Sequence, residues 1–339
     1  MANLTKFFRR HQLVAYFVLT YSLMWVLLLI FQPLYLEGQS LVAPLISVGI
    51  FAPALVSIGL SSILKPRPKQ GTRKYALISF FVMWILASLI IILYLTVNQE
   101  MDLSTRLVIV TAVTGVLPAF VCSCAFSVAP GPRELLSTYI KPKGSVWYYL
   151  LALILVPAIW VLGNLLSRVL GTELPFIRFP TADIKLLGMA ILFFLYNIIY
   201  GGISEEPGWR GFALPRLQAR FSPLVSSLIL GVIWAVWHAP ASFGGIETTS
   251  LFDTLVEWVL IVLVNIIFIW LFNRTQGSIL VTALIHAAMN TTGNFLTGTL
   301  GALLLLLIFM IFVVVFDKMW RKLSRDHPAL YRESPHEDA

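Results

Sequence analysis

Charged residues are scarce in this chain, and their scarcity excludes most soluble architectures. Only 12% of the 339 residues are Asp, Glu, Lys or Arg, whereas hydrophobic residues make up 58%. A soluble domain carries about a quarter charged residues, so a chain of this composition needs a largely apolar solvent. The apolar runs are spread evenly and no long linker separates them, which favours one integral membrane domain.

Cysteine is almost absent as well. Cys122 and Cys124 lie two residues apart in one apolar run. On a helix this spacing directs the two side chains to different sides, which argues against a disulfide or a metal pair. The chain also lacks G-x-S-x-G, H-E-x-x-H and P-loop patterns, so nothing indicates a serine hydrolase, a zincin or a nucleotide-binding protein.

Apolar runs long enough to cross a bilayer recur along the whole chain. About 20 helical residues cross a hydrocarbon core of roughly 30 Å. The predicted spans are 13–36, 41–64, 75–97, 107–129, 146–170, 186–203, 223–239, 251–272, 278–296 and 300–316. The first run is too long for a signal peptide and has no small-residue cleavage site, so we expect it to remain as a span. The predicted fold is all-α, a polytopic transmembrane helical bundle of about ten spans.

Basic residues are distributed unequally between the two sides of such a bundle. If the spans alternate, all but four of the 24 Lys and Arg residues fall on the side of the N-terminus. The exceptions are Arg106, Arg168, Arg178 and Lys185. By the positive-inside rule both the N-terminus and the C-terminus are then cytoplasmic. We interpret the net charge of +8 as this topology signal, and expect no nucleic-acid partner.

Ionisable residues within spans are costly and usually functional. Glu205, Glu206 and Arg210 directly follow the apolar run FFLYNIIYGGIS. A helix continuing through this segment would pair Glu206 with Arg210, four residues on, although Pro207 disfavours helical geometry at the residue before it. Taken alone, the cluster could equally be a charged cap of a cytoplasmic helix.

Two histidines also lie within apolar runs. His238 stands in the sequence WAVWHAP, where it could simply be a packed histidine bonded to a carbonyl group. His286, Asn290 and Asn294 follow one another at four-residue intervals, which places them on one helix face. A polar face of this kind can also hold helices together by hydrogen bonds.

Considered together, these residues supply what peptide hydrolysis requires. A carboxylate can take a proton from water, and a histidine can hold that water or protonate the leaving amine. A histidine and an asparagine can donate hydrogen bonds to the developing oxyanion. The combination favours proteolysis over the separate structural roles.

The residues resemble the CAAX-protease and bacteriocin-processing family of intramembrane proteases, which includes relatives of the Ras-converting enzyme. That family has E-E-x-x-x-R, F-x-x-x-H and H-x-x-x-N on successive spans. The corresponding residues here are Glu205, Glu206 and Arg210, then Trp234 and His238, then His286 and Asn290. Trp234 stands where Phe is usual, and we interpret this change between bulky aromatic residues as neutral for the chemistry.

The resemblance implies a role for each matching residue. Glu205 would activate water with the help of His238, while His286 and Asn290 would form the oxyanion hole. Glu206 and Arg210 would support the site. No cofactor is expected, although Glu205, His238 and His286 could in principle hold zinc with one open position. The implied partners are the lipid bilayer and a membrane-associated peptide or protein substrate, and prenylation of that substrate stays open.

The resemblance also divides the chain. Residues 1–185 would form five spans without a recognised motif, residues 186–296 the catalytic core, and residues 297–339 the last span and a basic cytoplasmic tail. The flanks of the first motif are similar to bacterial members, which implies a bacterial cell membrane. A non-catalytic immunity or scaffold protein of the same fold is an alternative. A transporter is another, although it would have polar residues in both leaflets and an inverted repeat.

The depth of the site requires an adjustment. Glu205 ends its apolar run, whereas His238 lies about 22 Å along a helix from Pro223. We therefore predict that the helix of Glu205 continues to Leu214, and that the next helix begins outside the bilayer. The result would be a water-filled cavity that opens to the cytoplasm.

Overall fold

The computed structural model describes residues 2–65, 73–172, 175–179, 183–244 and 250–331, and nearly all of its regular structure is helical. The β-type pairing in these ranges is one antiparallel bridge between Ile177 and Leu296. The predicted all-α fold is confirmed. Three of the basic residues from which the topology was predicted lie outside the described residues: Arg67, Lys69 and Arg332.

The helices follow one another along the chain with short connections. They are α1 (Ala2–Arg10), α2 (Gln12–Leu36), α3 (Ala43–Ile50), α4 (Ala52–Leu64), α5 (Lys74–Val97), α6 (Thr105–Cys124), α7 (Pro130–Ile140), α8 (Val146–Val169), α9 (Ile184–Gln218), α10 (Pro223–Phe243), α11 (Leu251–Arg274), α12 (Ile279–Phe295) and α13 (Leu300–Phe316). A 3₁₀ turn at Ser40–Val42 leads into α3.

Seven of the described helices are long and apolar enough to cross a membrane: α2, α5, α6, α8, α9, α10 and α11. An eighth span results if α3 and α4, which meet at an angle of 51°, are counted as one. The last two predicted spans form α12 and α13, each of 17 residues. The protein is thus an integral membrane protein with seven to eight candidate spans, and the count of ten stays a prediction, as do the cytoplasmic termini.

Small residues allow α9 and α12 to approach closely at the centre of the bundle. A Cβ added at Gly202 would lie 2.9 Å from the Cβ of Ala283. Without a side chain at that position the two backbones come together, which is how helices commonly pack in membranes. The largest fully buried side chains among the described residues include Trp209, Trp234 and Trp237.

The helix α9 is continuous, but it is π-helical at Ile198–Ile203 and again at Pro207–Ala213. In a regular α-helix Pro207 would lack one hydrogen bond and its ring would clash with the carbonyl group four residues earlier. The π-helical turn, with bonds that reach one residue further, accommodates it. Glu206 is helical (φ −61°, ψ −34°) although the proline that follows it disfavours this geometry. The predicted continuation of the helix to Leu214 is confirmed.

Candidate active site

Glu205 is almost fully buried on α9, between the two π-helical segments, with 5% of its surface exposed. Trp209, one turn further along α9, donates from Nε1 to Glu205 Oε2 at 3.1 Å. Trp234 on α10 donates from Nε1 to the same oxygen at 2.7 Å. Two N–H donors from different helices therefore fix this carboxylate. Interpreting Trp234 as a neutral replacement for Phe overlooked the second bond, since phenylalanine has no N–H.

Glu206 is fully buried and faces charged partners. Its Oε1 accepts from Arg210 Nη1 at 2.9 Å, which confirms the predicted pairing over four residues. His286 Nδ1 lies 2.8 Å from the same oxygen. Because a carboxylate accepts but does not donate, Nδ1 of His286 carries a proton. The two adjacent glutamates are thus distinct: Glu206 is paired with a cation, and Glu205 is held by neutral indoles.

Arg210 is fully buried, and its guanidinium group is enclosed on several sides. Nη2 donates to Asn265 Oδ1 at 2.7 Å, and Asn265 in turn donates to the Ser227 carbonyl oxygen at 2.7 Å. The guanidinium carbon lies 4.3 Å from the ring centroid of Trp234 and 4.4 Å from that of Phe268. Such cation–π contacts, together with the hydrogen bonds, stabilise a charge buried away from water.

His238 lies on α10 and is partly exposed. Its Nδ1 is 2.8 Å from the carbonyl oxygen of Trp234, so Nδ1 donates and Nε2 is the unprotonated nitrogen of the neutral ring. The His238 and Trp234 rings lie 5.9 Å apart between centroids, and the Trp234 and His286 rings 5.4 Å apart. Trp234 therefore contacts Glu205, Arg210 and both histidines.

Asn290 continues the polar face of α12 one turn beyond His286. It donates from Nδ2 to Asn197 Oδ1 on α9 at 2.8 Å. One turn away, a Cβ added at Gly201 would lie 2.8 Å from His286 Nε2. His286 is therefore opposite Gly201, and Asn290 is opposite Asn197. The structure thus brings the six predicted residues to one region of the α9, α10 and α12 helices.

Sequence reasoning missed two asparagines that belong to this region. Asn265 is fully buried against Arg210, and Asn197 is 6% exposed beside Asn290. Both are single amides inside otherwise apolar runs, LIVLVNIIFIW and FFLYNIIY. A polar residue in such a run is the signal that could have identified them.

The donor groups do not fit the zinc site that the resemblance allowed. Among the described residues, no three His, Cys, Asp or Glu side chains are placed to share a metal ion. The misfit is one of placement, because the hydrogen bonds of Glu205, His238 and His286 involve only Oε2 and the two Nδ1 atoms.

Comparisons with known proteins locate the similarity in the same region. Residues 187–292 match the model of the type II CAAX prenyl endopeptidase Rce1-like family. All six site residues lie within this segment. The chain is 28% identical over 152 residues to CAAX prenyl protease 2 of Methanococcus maripaludis, which covers 43% of this chain and 55% of that protein. The chain therefore spans about half the length of this curated relative.

Proposed function

Since the chain belongs to the Rce1-like CAAX endopeptidase family of membrane proteases, we propose that it cleaves peptide bonds in membrane-associated or lipidated peptides or proteins. We further propose that Glu205, His238, His286 and Asn290 perform the cleavage, with Glu206 and Arg210 in support. We also propose that the protein lies in a bacterial cell membrane and that its active site opens to the cytoplasm.

The different partners of the two glutamates carry this assignment. Oε1 of Glu206 contacts both Arg210 and His286, so the negative charge of Glu206 is balanced by partners within the protein. Glu205 accepts hydrogen bonds on Oε2 from two indole N–H groups, and within the described residues no cation donates a hydrogen bond to it. Carboxylates in such contrasting surroundings take separate roles in catalysis. Glu205 is the one suited to act as a base.

The proposed reaction transfers protons as follows. Glu205 takes a proton from a water molecule whose oxygen attacks the scissile carbonyl carbon, while His238 accepts a hydrogen bond from that water at Nε2. His286, protonated on both nitrogens beside Glu206, donates from Nε2 to the oxyanion, and Asn290 donates from its amide. The C–N bond then breaks, and Glu205 returns its proton to the leaving nitrogen.

Replacement of Glu205 tests the catalytic role. The Glu205→Gln variant keeps the side chain's shape and one oxygen, but it cannot take a proton. We expect cleavage of a quenched fluorescent peptide by the purified protein to fall by roughly 10²- to 10⁴-fold. The matched control is Glu37→Gln, the same change at an exposed position after α2. Cleavage by Glu205→Gln at the wild-type rate would contradict the proposal. If cells that carry Glu205→Gln keep the phenotype of the wild-type protein, a non-catalytic role would be favoured.

Metal dependence and substrate class are tested with the same assay. Full activity in the presence of a tight chelator supports the reaction proposed here, whereas a loss that zinc restores would overturn its metal-free form. Prenylated and unprenylated versions of one peptide, compared by kcat/KM, show whether the lipid contributes to recognition.

A further inference from the structure

A basic cavity of about 310 Å³ lies where α1 meets α2, beside the end of α9. The described residues that line it include five basic side chains and no Asp or Glu. These are Arg9, Arg10, His11, Arg216 and Arg220. Like charges that converge on one cavity repel each other unless an anion lies between them. None of these residues belongs to the site around Glu205.

Arg216 is fixed in position on one wall of this cavity. Its Nε donates to Gln12 Oε1 at 2.7 Å, and its Nη1 donates to the Phe212 carbonyl oxygen at 2.8 Å. The guanidinium carbon lies 3.6 Å from the ring centroid of Phe212 and 3.8 Å from that of Tyr331. A guanidinium group that is already ordered loses little conformational entropy when it binds an anion.

The cavity lies at the ends of candidate membrane spans. The helix α2 begins at Gln12, α9 ends at Gln218 and α10 begins at Pro223, so the basic groups are at the level where span meets water. This placement exposes them to the headgroups of the surrounding lipid. Clusters of Lys and Arg at this level attract anionic lipids.

An apolar groove lies along the same face of α2. This second cavity, of about 490 Å³, is lined by Phe8 of α1 and by side chains of α2 and α4 that are almost all apolar. Its residues Leu19 and Leu23 follow Gln12 by seven and eleven positions, spacings that return a helix to nearly the same side. The basic cavity and the apolar groove thus share α1 and one face of α2.

We propose that the basic cavity and the apolar groove together bind one anionic phospholipid. The phosphate of the headgroup lies among the arginines, where charge-assisted hydrogen bonds are strong, and an acyl chain covers the groove. The lipid would contact both α1 and the last turns of α9, the helix that carries Glu205.

Native mass spectrometry of the full chain tests this site. Wild-type protein in detergent is given equal amounts of phosphatidylglycerol and phosphatidylcholine. It should retain phosphatidylglycerol in preference to phosphatidylcholine. The variant Arg9→Gln, Arg10→Gln, Arg220→Gln changes only exposed side chains. At about a factor of five for each arginine, it should lose roughly a hundredfold in preference. The control Arg321→Gln, Lys322→Gln, Arg325→Gln removes the same charge at exposed positions outside the cavity and should keep the preference.

The outcomes separate the sources of the anion. Retention of phosphatidylglycerol in excess inorganic phosphate supports a lipid site, whereas its release shows that the arginines bind phosphate alone and overturns the assignment to lipid. Equal retention of both lipids by the wild type, or equal losses in the two triple variants, would overturn the proposal as a whole.

Discussion

Trp234 Nε1 donates a hydrogen bond of 2.7 Å to Glu205 Oε2 and thereby joins α10 to the carboxylate proposed as the base. The Trp234→Phe variant keeps an aromatic ring and removes this donor. A hydrogen bond to a charged group contributes about 1.5–3 kcal/mol, so we expect cleavage to slow by roughly ten- to a hundredfold.

The matched control for this bond is Trp237→Phe on the same helix. Trp237 is 1% exposed, and its Nε1 has no hydrogen-bond partner among the described residues. The change therefore removes similar volume without removing a bond. If both variants slow cleavage equally, the Trp234 bond has no catalytic importance.

Gly201 provides the space that the His286 ring occupies. A methyl group added there would lie 2.8 Å from His286 Nε2, so Gly201→Ala should displace the ring. A misplacement of about 1 Å can cost on the order of 10²-fold in rate, and we expect a loss of that size in kcat. Gly188→Ala is the control, because its Cβ would meet nothing within 4 Å on the same helix. Equal kcat values for the two variants would show that the position of His286 is unimportant.

Asn265 connects the Arg210 guanidinium group to α11. The Asn265→Leu variant leaves one donor of a fully buried cation without its partner, and such a loss costs about 1.5–3 kcal/mol. We expect a lower thermal unfolding midpoint in detergent and reduced cleavage. Asn273→Leu, on the same helix, breaks two neutral hydrogen bonds with Gln218, which contribute about 1 kcal/mol each. It should lower the unfolding midpoint by a similar amount, but cleavage should remain. Equal loss of cleavage in the two variants would contradict the role assigned to Asn265.

His327 makes the segment after α13 sensitive to pH. Partial burial lowers the pKa of His327 from its ordinary value of 6.5, and its Nδ1 accepts from the Ala329 N–H at 3.2 Å. Because the folded pKa lies below the unfolded one, the neutral ring stabilises the folded segment above about pH 6.5, and this contribution is lost as the pH falls from there towards the folded pKa.

Amide hydrogen exchange of residues 324–331 measures this effect. After correction for intrinsic rates, exchange should be faster at about pH 5.5 than at about pH 7.5. His327→Asn offers an acceptor oxygen that does not titrate, so its exchange should be the same at both values. A pH response that persists in His327→Asn would rule out His327 as its origin.

The polar residues of the candidate site were predictable because a charge or a histidine inside an apolar run has few structural roles. The hydrogen-bond partners of these residues were not predictable. The bond from Trp234 to Glu205 depends on the rotation of α10 about its axis, and a helix that is apolar on all sides carries no periodicity that records its rotation. Asn265 was overlooked for a related reason, since the sequence around a single amide does not indicate that it faces an arginine from another helix.

The helix boundaries show a similar division. Apolar runs located the long helices, but they did not predict α1 or α7, which are short and lie outside the apolar runs. The predicted span 41–64 is divided into α3 and α4, which meet at an angle of 51°. Pro207 indicated an irregularity beside Glu206, yet the sequence did not predict that π-helical turns on both sides of the glutamates would keep α9 continuous.

Adjacent residues of α9 are tied to different neighbours, and this limits how a polypeptide can reach them. Glu205 is joined to α10 through Trp234, whereas Glu206 is joined to α12 through His286. A chain that enters between α9 and α10 has to part Trp234 from Glu205, and one that enters between α9 and α12 has to part His286 from Glu206. If a substrate enters by either route, the proposed site is interrupted while the helices are apart, so entry and cleavage would be separate steps.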